Sequence, residues 1–263
     1  VCVEAGLPTV GLEVSDELAE RGRSTIVGWL DRAVEKERLT AAGRDAALER
    51  LSLTTDASAL AGCELVIEAA VERLDTKLAL FAQLADVVAP DALLATNTSA
   101  LPVTELAAAT PGPERVLGLH FFNPAPILPL VEVVATALTA EAAVERAVGF
   151  VERVGKTPVV CADTPGFIVN RILIPALNDA VRVLDEGTAE PEAIDTAMRL
   201  GTSWPIGPLA LIDLIGVDVH VHAAEALWEA YREPRFAPPP RLVRMLQAGH
   251  LGRKSGRGFF LYP

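Results

Sequence analysis

From Leu7 to Cys161 short apolar runs alternate with stretches of helical spacing. Thr9-Val-Gly-Leu12 is followed by a helical pattern near Asp16 to Glu37. Leu65-Val-Ile67 precedes another at Leu74 to Val88, and Leu93-Leu-Ala95 comes next. Strand, helix, strand in this rhythm predicts a parallel sheet with crossover helices. Val116-Leu-Gly-Leu119 then predicts a strand, and Leu130 to Val134 its antiparallel return. A helix over Ala140 to Val154 and a strand at Thr157-Pro-Val-Val160 complete a mixed sheet. After Pro165 the strand signal stops. Gly166 to Glu186, Pro191 to Leu200, Pro208 to Tyr231 and Pro239 to Gln247 show helical spacing with Pro or Gly at their edges. The predicted fold class is α/β: a doubly wound mixed sheet over residues 1–162 followed by an all-helical domain over residues 163–263.

Composition adjusts this picture little. With 263 residues, 51% of them apolar, the chain can bury a large core. No run of eighteen or more uncharged apolar residues and no basic-then-apolar leader occurs, so a cytoplasmic protein that neither spans a membrane nor is exported is expected. Cys2, Cys63 and Cys161 stand singly, with no spacing that suggests disulfides or a metal site. The net charge of −12 argues against a nucleic-acid partner, since a phosphate backbone needs a concentrated basic surface. A polyanionic substrate would have to meet local cations, and Lys36 with Arg38 and the Arg253, Lys254 and Arg257 group are the candidates. Solvated surface is the competing reading.

The most informative stretch is His120-Phe-Phe-Asn-Pro124, with Glu132 twelve residues beyond His120. An apolar strand ends at His120, Asn123-Pro-Ala-Pro126 must turn, and Leu130-Val-Glu-Val-Val134 runs back with Glu132 placed to face the imidazole. A carboxylate on one ring nitrogen fixes the tautomer and leaves the other nitrogen to accept a proton. A satisfied structural histidine beside a solvated edge charge is the alternative. Ser99, in Thr96-Asn-Thr-Ser-Ala100, and Asn170, in Thr164-Pro-Gly-Phe-Ile-Val-Asn-Arg171, accompany the pair. Either could instead cap or bridge a helix.

Through Asn97-Thr-Ser-Ala, Gly118-Leu-His-Phe-Phe-Asn-Pro-Ala-Pro, Leu130-Val-Glu-Val-Val, Asp163-Thr-Pro-Gly-Phe-Ile-Val-Asn-Arg, Pro205-Ile-Gly-Pro-Leu and Leu251-Gly-Arg-Lys-Ser-Gly-Arg-Gly-Phe, the chain resembles the L-3-hydroxyacyl-CoA dehydrogenase family. The resemblance runs from Val1 to about Pro263 and is nearest to the short bacterial 3-hydroxybutyryl-CoA type. It implies a Rossmann-like NAD-binding domain and a helical substrate-binding and dimerisation domain. The implied reaction is oxidation of a (3S)-3-hydroxyacyl-CoA in fatty-acid β-oxidation by a cytoplasmic homodimer. It further implies His120 as general base, Glu132 as its orienter, and Ser99 and Asn170 as groups that bind the reacting oxygen. Glu72, Lys77, Asn97 and Ser99 are implied at the cofactor, and Lys36, Ser99 and Asn170 at the acyl-CoA.

Glu13 follows the first predicted strand, where a dinucleotide fold places the carboxylate for the adenosine ribose. A carboxylate there favours NAD over NADP. No GxGxxG precedes it. In the family a strand and a glycine-rich turn come before a segment like Val1-Cys-Val-Glu-Ala-Gly6, so the sequence is expected to be a partial one that starts after them. Trp29, Pro129 and Ile206 depart from the usual family residues. Trp29 falls near the implied coenzyme A end, which keeps a hydroxyacyl-carrier protein or a sugar acid such as gulonate as alternative substrates. A cofactor-free structural homologue is the remaining alternative.

Overall fold

A computed structural model describes residues 1–262, so Pro263 of the expected helical domain lies outside the described residues. The chain divides into two compact units, and the break falls between Asp163 and Thr164.

In the first unit, β1 (Thr9–Leu12) pairs in parallel with β2 (Leu51–Thr54). Between them run α1 (Asp16–Glu35) and α2 (Ala41–Glu49). Each starts on a hydroxyl cap: Leu18 N–H donates to Ser15 Oγ at 3.3 Å, and Gly43 N–H to Thr40 Oγ1 at 3.0 Å. Capping of this kind satisfies donors that the first helical turn leaves without partners. Then follow β3 (Leu65–Glu68), α3 (Leu74–Val87), β4 (Leu93–Thr96), α4 (Val103–Ala108), β5 (Val116–Phe121), β6 (Leu130–Ala135), α5 (Glu141–Arg153) and β7 (Thr157–Ala162). These five strands form one sheet in the order β3-β4-β5-β6-β7, parallel throughout except at the β5–β6 return.

Alternation along the strands separates two apolar layers. Leu94 and Val116 pack with Phe81 and Leu84 of α3 and with Leu106 of α4. Leu93, Ala95, Leu117, Leu119, Val131 and Val133 pack with Ala143, Ala147 and Val151 of α5. Helices on both faces of β4, β5 and β6 are why these three strands read as continuous apolar runs, because neither side meets water. Each Leu, Val or Phe side chain among them contributes about 1.5–3 kcal/mol on removal from water.

The second unit is helical: α6 (Val169–Asp185), α7 (Pro191–Gly201), α8 (Pro208–Ile215), α9 (Val217–Tyr231) and α10 (Pro240–Gln247). Its core joins Leu177, Val181, Leu209, Ile212, Val221 and Leu242. The single helix expected over Pro208 to Tyr231 is two. Gly216 breaks it with φ 106° and ψ 128°, a conformation that an L side chain rarely adopts. Asp195 accepts from the N–H groups of Leu209 (2.8 Å) and Ala210 (2.9 Å) and so caps α8. Asp213 accepts from Phe259 N–H, Phe260 N–H and Tyr262 Oη, each at 3.0 Å, and pins the C-terminal segment. Among the described residues no helix is long and apolar enough to cross a membrane.

Candidate active site

His120 and Glu132 are direct partners in the antiparallel register of β5 and β6, and the imidazole Nδ1 lies 2.7 Å from Glu132 Oε2. The imidazole is 6% exposed and Glu132 fully buried. A carboxylate can only accept, so Nδ1 carries the hydrogen of the neutral ring and Nε2 its lone pair. The Phe122 ring packs at 4.5 Å between centroids and confines the imidazole further.

Asn97 ties the end of β4 to this strand. Its Oδ1 accepts from Phe121 N–H at 2.9 Å, while its own N–H donates to Glu68 O at 2.7 Å. The next turn is held by Glu72, whose Oε1 accepts from Thr98 Oγ1 (2.5 Å), Ser99 N–H (3.0 Å) and Ala100 N–H (3.3 Å). Ser99 is thereby fixed through its main chain and is itself exposed. The capping alternative for Ser99 does not apply, because α4 has no side-chain cap.

Beneath Glu72 sits Lys77, in the first turn of α3 and 0% exposed. Its Nζ reaches both carboxylate oxygens of Glu68 at 2.7 and 2.9 Å, and Glu72 Oε2 at 3.3 Å. Glu68 also accepts from Ala70 N–H (2.5 Å) and Thr96 Oγ1 (2.7 Å). Sequence reasoning placed Glu68 at a strand end by the cofactor crevice, behind Glu72 as a candidate, and gave it no link to Lys77. The available signal was Glu68 and Thr96 at the matched ends of adjacent strands, with a lysine on the following helix.

Glu13 lies one residue past β1, its carboxylate exposed and its N–H bonded to Thr54 O at 3.0 Å. Lys36 is the exposed residue that closes α1. About two turns back on that helix Trp29 is half-buried, with the Arg32 guanidinium 4.7 Å from its ring centroid. In the second unit Asn170 occupies the first turn of α6 and is half-buried. That turn is anchored by its neighbour, since Arg171 N–H donates to Gly166 O at 3.0 Å and the Arg171 guanidinium lies over the adjacent rings of Tyr231 (4.1 Å) and Phe236 (4.3 Å). Gly166 has φ +79°, and a Cβ there would lie 2.8 Å from Leu227 and 3.0 Å from the Arg171 nitrogen. Among the described residues no group of three or more His, Cys, Asp or Glu could hold a metal. Burial, with Glu132 and Asp163 nearby, pushes the Cys161 thiol up to about 11, so it is no thiolate nucleophile at neutral pH.

Residues 1–164 match the family model for the 3-hydroxyacyl-CoA dehydrogenase NAD binding domain, and residues 166–262 match that for the 3-hydroxyacyl-CoA dehydrogenase C-terminal domain. The chain belongs to the 3-hydroxyacyl-CoA dehydrogenase family. It is 48% identical over 264 residues to a 3-hydroxybutyryl-CoA dehydrogenase of Mycobacterium tuberculosis, covering 100% of this chain and 92% of the relative. The crystal structure of M. tuberculosis FadB2 superposes with TM-score 0.98 at 47% identity, covering 100% of this chain and 93% of that one. That of (S)-3-hydroxybutyryl-CoA dehydrogenase PaaH1 from Ralstonia eutropha does so with TM-score 0.95 at 40% identity, covering 100% and 93%.

As a 3-hydroxyacyl-CoA dehydrogenase the chain is an oxidoreductase that uses NAD. The residues present fit that cofactor. In open α/β sheets ligands bind outside the carboxyl ends of the strands. At those ends the dehydrogenase carries an exposed carboxylate after β1, Glu72 above β3, and the Asn97 to Ser99 turn after β4.

Proposed function

We propose that this dehydrogenase oxidises a short-chain (3S)-3-hydroxyacyl-CoA, such as 3-hydroxybutyryl-CoA, to the 3-ketoacyl-CoA, with His120 as general base and Glu132 as its orienter. The buried 2.7 Å contact between His120 Nδ1 and Glu132 Oε2 carries this reading. With Nδ1–H committed to the carboxylate, Nε2 takes the proton of the substrate 3-hydroxyl. Glu132 then faces the imidazolium that results and stabilises it where no water screens the pair. NAD supplies the hydride acceptor for C3.

Ser99, exposed and held through its main chain, donates to the reacting oxygen, and Asn170 provides a second hydrogen bond to substrate. Such groups accelerate a reaction by fixing geometry and meeting developing charge. Glu13 binds the adenosine ribose, and its carboxylate disfavours a 2′-phosphate. Glu72, Asn97 and Ser99 face the nicotinamide half, while Lys77 serves it through Glu72. Lys36 meets the coenzyme A phosphates. Family resemblance supports a cytoplasmic homodimer. Similarity to 3-hydroxybutyryl-CoA dehydrogenases over the whole chain favours coenzyme A over a carrier protein or a sugar acid, and an active dehydrogenase over a cofactor-free homologue.

The test is steady-state reduction of acetoacetyl-CoA by NADH, compared with a carrier-bound acetoacetyl group and with gulonate oxidation. Preference for acetoacetyl-CoA is expected. No turnover with it, beside turnover of either competitor, would overturn the substrate assignment.

A further inference from the structure

Lys77 is among the largest fully buried side chains of the chain, and it is an ion. A buried ammonium is retained only where carboxylates and carbonyls replace its water. Glu68 provides two such contacts, Ala70 O a third at 3.5 Å, and Glu72 Oε2 a fourth. The two carboxylates differ in one respect: the Glu68 side chain is 3% exposed and that of Glu72 is 40% exposed. Glu68 is therefore the fixed end of the cluster, locked by Ala70 N–H and Thr96 Oγ1, and Glu72 the end that reaches the surface. What Glu72 reaches is the Thr98 to Ala100 turn, which it grips by three hydrogen bonds to one oxygen.

We propose that Glu68 and Lys77 are positioning residues for the dehydrogenase reaction: their buried ion pair fixes Glu72, and through Glu72 the main chain that presents Ser99. The line runs from the end of β3, through the first turn of α3, to the turn after β4, and Asn97 splices that turn to the His120 strand. Both side chains are almost wholly buried, and the pair acts on the turn through Glu72. The proposal rests on the reading of Ser99 as a group at the reacting oxygen.

A double-mutant cycle separates the two. Glu68→Gln/Lys77→Met removes both charges together, so no uncompensated buried ion remains. Turnover of acetoacetyl-CoA is measured in the wild-type and Ser99→Ala backgrounds, with circular dichroism as the check on folding. Misplacing the turn should lower kcat by roughly tenfold or more in the wild-type background, with KM for acetoacetyl-CoA within about twofold. In the Ser99→Ala background the further loss should be no more than about twofold, because effects on one shared element are not additive. Thr96→Val is the milder arm, keeping side-chain volume while deleting only the hydroxyl bond to Glu68; if the double variant does not fold, this arm decides, with a loss of roughly threefold that Ser99→Ala abolishes. Unchanged kcat in the pair variant, or an equal loss in both backgrounds, overturns the positioning role. Wild-type turnover of Ser99→Ala by itself overturns the reading of Ser99 beneath it.

Discussion

Glu132 meets His120 because the two stand opposite each other in the β5–β6 register, with the side chains on one face and 2.7 Å between Oε2 and Nδ1. The strength of this contact depends on charge. In Glu132→Gln the amide oxygen can still accept from Nδ1–H, so the ring keeps its tautomer but loses the negative partner of its protonated form. We expect kcat to fall by about 10²-fold. An unchanged kcat in this variant would argue against the pairing as a working device.

Glu13 offers a separate test of cofactor choice. Its carboxylate is exposed after β1, and a ribose 2′-phosphate placed there would meet like charge. Glu13→Ala should narrow the preference for NADH over NADPH by roughly tenfold, about 1.4 kcal/mol. The measurement is kcat/KM with each cofactor, and an unaltered ratio would remove Glu13 from the ribose site.

A pH dependence of stability follows from the second unit. His220 is fully buried on α9, its Nε2 2.9 Å from Asn178 Oδ1. The Asn178 amide nitrogen donates to the carbonyls of Arg235 (3.2 Å) and Phe236 (3.3 Å), so Oδ1 is the acceptor and His220 Nε2–H the donor. Burial pushes the imidazole from an ordinary 6.5 down to about 4. The unfolded chain therefore takes up a proton that the folded chain refuses. Stability is full above pH 6.5 and declines as the pH falls towards 4, by about 3 kcal/mol if the shift is fully expressed. Denaturant unfolding of His220→Gln should show a shallower decline across that window, although the variant is less stable at pH 7. An equally steep decline would place the acid sensitivity elsewhere.

How much of this was legible in the sequence depends on what each element needed. The strands at Leu65 and Leu93 read plainly, since sheet faces covered by α3 and α5 demand apolar residues at every position. The β2 strand did not, because Leu51-Ser-Leu-Thr54 pairs only with β1 and leaves Ser52 exposed, and α2 before it was missed as well. Helical spacing ran on across Gly216 and hid the break between α8 and α9. At the site, His120 and Glu132 were legible as polar residues on two apolar strands joined by a Pro-rich return, with a structural histidine and a solvated charge left open until the register was seen. Glu68 was not. Its role depends on where a lysine nine positions on and a threonine in another strand come to rest, which only the folded chain decides.

The central claim is that His120 takes the substrate proton, and turnover of His120→Gln measured beside NADH binding tests it most directly. We predict kcat for acetoacetyl-CoA reduced by about 10²-fold or more, with the NADH dissociation constant from fluorescence titration close to that of the parent chain. A near-normal rate in that variant, with cofactor binding intact, would contradict the account.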